Sequence, residues 1–292
     1  MRDDDGGVIT GRISSSNPSA QVIPSAEKDP LIGGATRSLF IAEEGEEWVS
    51  ADYSQQEPRM LVHFAVRARI RGAEEIAERY RTDPSTDLHD LVSKLLNIPR
   101  SQAKVINLSI IYGQGAGTTM QKLGFETVTK SFTKVENGEE RVISYEAPDE
   151  QGDELLAAYH RGFPLAKAMD KEAKSRATAR GYLVTLFGKR LWMQKDEKGR
   201  PHYSDIRKCL NYLIQGSAAE QTKAAMIKMF QAGIPPLLQV HDELAVSLPA
   251  GDIKMRRLFA DCMLNAVKLE VPSKIDMEIG PSWGQTKPYI LP

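Results

Sequence analysis

Residues 235–249, PPLLQVHDELAVSLP, form two runs of alternating apolar residues that meet at His241-Asp242-Glu243. Alternation with period two is the signature of half-buried strands, so this segment reads as a β-hairpin whose acids stand at its tip. A second acid is placed just as sharply. EWVSADYS, from Glu47, alternates as a strand, and QQEPRMLVHFAVRARI then takes up a helical period with Leu61, Val62, Phe64 and Ala65 available for burial. Pro58 falls in the first helical turn, where its missing N–H costs nothing. Asp52 therefore sits where a strand hands over to a helix.

Asp52 and Asp242 stand at strand ends from which they can converge on one sheet edge. Convergent carboxylates repel unless a cation lies between them, and oxygen ligands of this kind suit Mg²⁺. Two Mg²⁺ ions about 3.5–4 Å apart are a known clamp for in-line phosphoryl displacement. Taken singly, each acid also fits a turn cap.

A helical stretch begins near Pro99 and runs through RSQAKVINLSIIYG to Gly113, with a Gly-rich continuation to Gly117. Arg100, Lys104, Leu108 and Tyr112 recur every fourth residue, so they share about one face. Stacked cations suit a triphosphate and the aromatic beyond them suits a base and sugar. A solvated basic stripe ending in a core tyrosine is the plainer alternative.

Elsewhere, the first ~35 residues, rich in Ser, Gly, Pro and Asn, read as loop. Residues 124–150 lose apolar periodicity and read as an inserted excursion or hairpin before helical patterning resumes at Glu154. Helices follow through Ala179, then GYLVTLFGKRLWM gives two short strands about a Phe-Gly turn, and a helix covers Ser204 to Ala232. The net charge of -1 hides a division: Arg161 to Lys208 is strongly basic, whereas 134–153 is mostly acidic. The basic stretch fits a track along a phosphate backbone or a solvated helix face followed by a basic hairpin. No apolar run is long enough to span a bilayer, the acidic start MRDDDGG is unlike a signal peptide, and the default compartment is the cytoplasm. Cys209 and Cys262 lack metal-ligand or CxxC spacing.

Four segments carry a family resemblance. TGRISSSNPSAQVIP resembles the TGRxSSxxPxxQxIP segment of family A DNA polymerases, the bacterial DNA polymerase I type. ADYSQQEPR resembles their motif A, RSQAKVINLSIIYG their motif B and QVHDELAV their motif C. NYLIQGSAAE and TLFGKR match intervening segments. Four motifs in order are far more specific than one alone.

The resemblance implies an α+β right-hand polymerase: an antiparallel palm sheet with helices and an inserted helical fingers subdomain. Residues 1–66 and 201–292 would form the two parts of the palm, and 67–200 the fingers with the insertion near 124–150. It implies templated addition of dNTPs to a primer 3′-OH on primer-template DNA, with two Mg²⁺ ions. Asp52 and Asp242 would bind metal, with the Tyr53 carbonyl as a further ligand and Glu243 secondary. Arg100 and Lys104 would hold the triphosphate, Lys104 would protonate pyrophosphate, and His89 would lie near the phosphates. Gln55, Leu108 and Tyr112 would complete the nucleotide site, with Glu57 a steric gate against a ribose 2′-OH. Arg12, Gln21, Arg207, Asn211 and Gln215 would touch the duplex through its minor groove, and His241 the primer terminus.

The chain departs from the family pattern at Leu108, where Phe or Tyr is usual, and at Gln56 and Pro58, which replace an apolar pair and are expected to be structural. The thumb and a 3′–5′ exonuclease have no counterpart in these residues. The expectation is a fragment, or a split, compact phage-like polymerase completed by a separate polypeptide. Rival readings are a single-subunit RNA polymerase, against which Glu57 and SSSNPSAQVIP argue, and a non-catalytic template-binding subunit, which would not need the metal carboxylates.

Overall fold

The computed structural model describes residues 8–17, 19–25, 28–136 and 139–292; the acidic start at residues 1–7 lies outside them. After an irregular opening, a short helix α1 (Ile32–Arg37) appears inside the segment expected to be loop. Strand β1 (Glu46–Tyr53) passes through Ser54 and Gln55 into α2 (Gln56–Arg67), the expected handover. Two helices follow where periodicity gives no reading, α3 (Ala73–Thr82) and α4 (Leu88–Leu96). The motif B segment is α5 (Arg100–Ile111), and its Gly-rich continuation leads into α6 (Ala116–Lys122).

The insertion is a two-stranded hairpin of β2 (Thr127–Glu136) and β3 (Glu139–Pro148). Helix α7 (Glu150–Gly162) begins before Glu154, because the Asp149 carboxylate accepts from the Gly152 N–H and caps it there. Then come α8 (Pro164–Arg180) and the expected small hairpin, β4 (Tyr182–Val184) with β5 (Arg190–Trp192). The helix expected over Ser204–Ala232 is two, α9 (Tyr203–Arg207) and α10 (Cys209–Gln231). The chain closes with β6 (Leu238–Val240), β7 (Glu243–Pro249), α11 (Ile253–Leu264), β8 (Ile275–Gly280) and β9 (Lys287–Tyr289).

Five strands form one antiparallel sheet in the order β6-β7-β1-β8-β9, and the fold is α+β. The pleat divides β1 between two faces. Val49, Ala51 and Tyr53 join Leu244, Val246, Met277 and Phe259 in a core under α10 and α11, while Ser50 and Asp52 point the other way. Burial of that face against helices fixes the register, since a slip of one residue would bury Asp52. A second core, around Met60, Tyr80, Ile106, Tyr159 and Leu210, unites α2 through α8 with α10.

Candidate active site

Asp52 is directly opposite Glu243 on one side and Asp276 on the other, so three acids line one end of the polar face of the sheet. Asp242 joins them from the β6–β7 turn, which His241 makes by adopting the left-handed region at φ 56°. They border a cleft of about 640 Å³ that also includes Ser50, Arg37 and Trp283. Although Asp52 opens onto this cleft, burial of its carboxyl and the nearby Asp242 and Glu243 raise its pKa to about 8. Burial also raises Asp242 and Glu243. The Asp52 and Asp242 carboxyls lie within hydrogen-bonding reach of each other.

A pair of carboxyls raised by burial and by neighbouring acids, with oxygen donors alone, fits a hard divalent cation such as Mg²⁺. Among the described residues no three His, Cys, Asp or Glu side chains close into a metal cage. A site of two carboxylates completed by backbone and substrate oxygens needs no such cage, and magnesium usually keeps this kind of open ligand set. Glu243 is partly spent, since its Oε1 accepts from the Trp283 indole N–H at 2.9 Å.

On α5, Lys104 is exposed, Leu108 and Tyr112 are half-buried, and Arg100 begins the helix. Arg100 is not free: its Nε donates to Asp87 Oδ2 at 2.9 Å, its Nη2 donates to the same oxygen, and Asp90 lies 3.2 Å away. His89 is buried on α4, 2.9 Å from Asn107, whose Oδ1 accepts from the Tyr159 hydroxyl at 2.9 Å. Burial lowers His89 to about 4, so the ring is neutral at physiological pH. At the far end of α5 the Tyr112 hydroxyl stands beside Glu57 and Gln215. Glu57 is buried and ion-paired to Arg12, yet burial outweighs that guanidinium and raises its pKa. Both Glu57 and Arg12 interact electrostatically with Asp242, so the carboxylate cluster and the α5 face border one region.

Gln21 donates to the Ile13 carbonyl at 2.7 Å and reaches Gln239 on β6. Asn211 and Gln215 are one turn apart on α10, and Arg207 is exposed on α9. Gln55 is occupied otherwise: its amide donates to Thr86 O at 3.2 Å and accepts from Leu88 N at 2.9 Å, tying α2 to the start of α4. Gln56 is structural as expected, buried and donating to Gln221, Thr222 and the Ala218 carbonyl on α10.

Sequence reasoning gave no role to Arg59, Asp87, Asn107 or Asp276. Arg59 is a buried strut, donating to the carbonyls of Ser54 at 2.9 Å, Pro272 at 2.7 Å and Pro84 at 2.6 Å, and stacking on Tyr80. Alternation in KIDMEIG, continued from its apolar Ile275, Met277 and Ile279, was the signal that puts Asp276 on the polar face.

Residues 5–285 match the model of DNA polymerase family A. A DNA-directed DNA polymerase of Pseudomonas phage M6 is 38% identical over 96% of this chain and 44% of its own length. The thermostable DNA polymerase I of Thermus aquaticus is 31% identical over 95% of this chain and 31% of its own. Among solved structures, the POL domain of Pol1 from M. smegmatis, in complex with DNA primer-template and dNTP, superposes with a TM-score of 0.74 at 28% identity, covering 95% of this chain and 46% of that one. The chain spans less than half the length of these relatives. With four motifs in order, a five-stranded antiparallel sheet bearing paired aspartates, and a family match over nearly every residue, this chain belongs to DNA polymerase family A.

Proposed function

We propose that this chain carries the nucleotidyl-transfer centre of a template-directed DNA polymerase, joining dNTPs to a primer 3′-OH with release of pyrophosphate. The observation that carries this reading is the Asp52–Asp242 pair, brought together at the end of the central strands on one cleft. Asp52 and Asp242 would hold the Mg²⁺ ions, with the Tyr53 carbonyl as a further ligand. Bound Mg²⁺ would supply positive charge that favours an ionised primer hydroxyl and a leaving pyrophosphate.

The chain's own residues do the rest. Arg100 and Lys104 neutralise the triphosphate, and exposed Lys104 gives a proton to the leaving group. Neutral His89 donates a hydrogen bond without adding charge. Glu57, clamped by Arg12 and flanked by Tyr112, occupies the space beside the sugar and penalises a 2′-OH, which makes the product DNA. Asn211, Gln215, Arg12 and Gln21 meet minor-groove acceptors common to all correct pairs, and so test shape without reading sequence. Primer-template DNA is the macromolecular partner.

Offering the chain each dNTP singly, opposite each template base, tests this. Extension by one residue with the complementary dNTP alone is expected; extension irrespective of the template base would refute templating.

A further inference from the structure

The Asp87 carboxylate has two separate duties, one for each oxygen. Oδ1 caps α4, accepting from the N–H of His89 at 2.7 Å and of Asp90 at 3.3 Å. Oδ2 grips the Nε and Nη2 of Arg100, the first residue of α5. The Asp87 side chain is mostly buried, while that of Arg100 is half-exposed, so the carboxylate is the fixed partner and the guanidinium the held one. A grip through Nε and Nη2 uses one edge of the guanidinium and leaves the Nη1 amino group outside the grip, on a side chain that is half-exposed. Burial alone would raise Asp87, but its bonds to Arg100 and the His89 amide outweigh that and lower its pKa.

We propose that Asp87 is a positioning residue for the incoming nucleotide, fixing the Arg100 guanidinium edge-on so that its open side meets the triphosphate. The inference rests on the nucleotide reading of the α5 face. A free arginine side chain loses much rotamer freedom on meeting a phosphate, and a guanidinium already held on one edge loses less. Because the same carboxylate caps the helix that carries His89, the donors of α4 and α5 reach the triphosphate as one unit. A second brace, Asn107 between His89 and Tyr159, ties the same two helices farther along. Asp90, half-exposed and 3.2 Å from Arg100, supports the grip from the rim.

Asp87→Asn separates this role from a capping role, because Asn caps a helix about as well as Asp but lacks the charge that grips Arg100. In single-nucleotide incorporation on primer-template DNA with Mg²⁺, Asp87→Asn is expected to weaken dNTP affinity by roughly tenfold, the scale of one charged hydrogen bond, with a smaller effect on the maximal rate. In an Arg100→Lys background, where no bidentate grip exists, Asp87→Asn is expected to add nothing further. Wild-type affinity in Asp87→Asn, or tighter binding through removal of a competing anion, would overturn the proposal. The second readout is the Arg100 Nε–H resonance in ¹⁵N spectra, expected to be protected from solvent exchange in the wild type and unprotected in Asp87→Asn. An unprotected resonance in the wild type would overturn the grip, whereas failure of the wild type to incorporate any dNTP would strike the nucleotide reading beneath it.

Discussion

Asp52 on β1 and Asp242 in the β6–β7 turn lie within hydrogen-bonding reach, and both carboxyls are raised in pKa, although they come from opposite ends of the chain. The sheet register forces this closeness, because Asp52 is paired with Glu243, the residue next to Asp242.

That pair makes stability depend on pH in an unusual direction. With the Asp52 pKa raised to about 8, the folded state keeps a proton that the unfolded state has released by about pH 5. The protonated pair costs nothing below about pH 4, and stability falls as pH rises towards 8. In EDTA, Asp242→Asn is expected to melt above the wild type at pH 8 and with it at pH 4. Mg²⁺ is expected to raise the wild-type melting temperature at pH 8 and leave that of Asp242→Asn unchanged; a parallel pH dependence in the two proteins would contradict the coupling.

Gly113, at φ 66°, ends α5 against α9, and a Cβ there would stand 2.5 Å from the Arg207 carbonyl oxygen. Gly113→Ala meets both a backbone penalty and a collision with main chain. A loss of about 2–4 kcal/mol is expected in urea unfolding.

The Tyr159–Asn107–His89 chain is buried throughout, so removing its middle member strands two polar groups. Asn107→Ala is expected to cost about 2–4 kcal/mol and Tyr159→Phe about 1–2 kcal/mol, with the double variant less than additive in chemical denaturation.

How far the sequence revealed this arrangement depended on whether a residue's role is periodic. Asp52 and Asp242 were legible because each ends a run of alternating apolar residues, and Arg100 to Tyr112 because they repeat every fourth position. Arg59 and Asp87 left no such trace: their partners are loop carbonyls at Ser54, Pro84 and Pro272, and the first residue of another helix. The break between α9 and α10 was hidden for a similar reason, since the Arg207 carbonyl there packs on Gly113 from a distant segment.

Leu108 is half-buried on the same face as Lys104 and Tyr112, where it presents no aromatic ring. Leu108→Phe is expected to change the ratio of dideoxynucleotide to deoxynucleotide incorporation several-fold in single-turnover assays, the scale of one packing contact beside the sugar. Identical constants for both nucleotides in the two proteins would refute a sugar contact at this position.

Removing the Glu57 carboxylate frees Arg12 and opens space beside Tyr112. Glu57→Ala is expected to raise ribonucleotide incorporation relative to deoxynucleotide by roughly 10–100-fold, as for a pocket that gains room for one hydroxyl. An unchanged ratio would remove Glu57 from sugar selection.

The most direct test of the central claim is extension of a labelled primer on a DNA template with Mg²⁺ and dNTPs, comparing the wild type with Asp242→Asn. Extension by the wild type alone is the expected result; equal extension by both proteins would contradict a catalytic centre built on the Asp52–Asp242 pair.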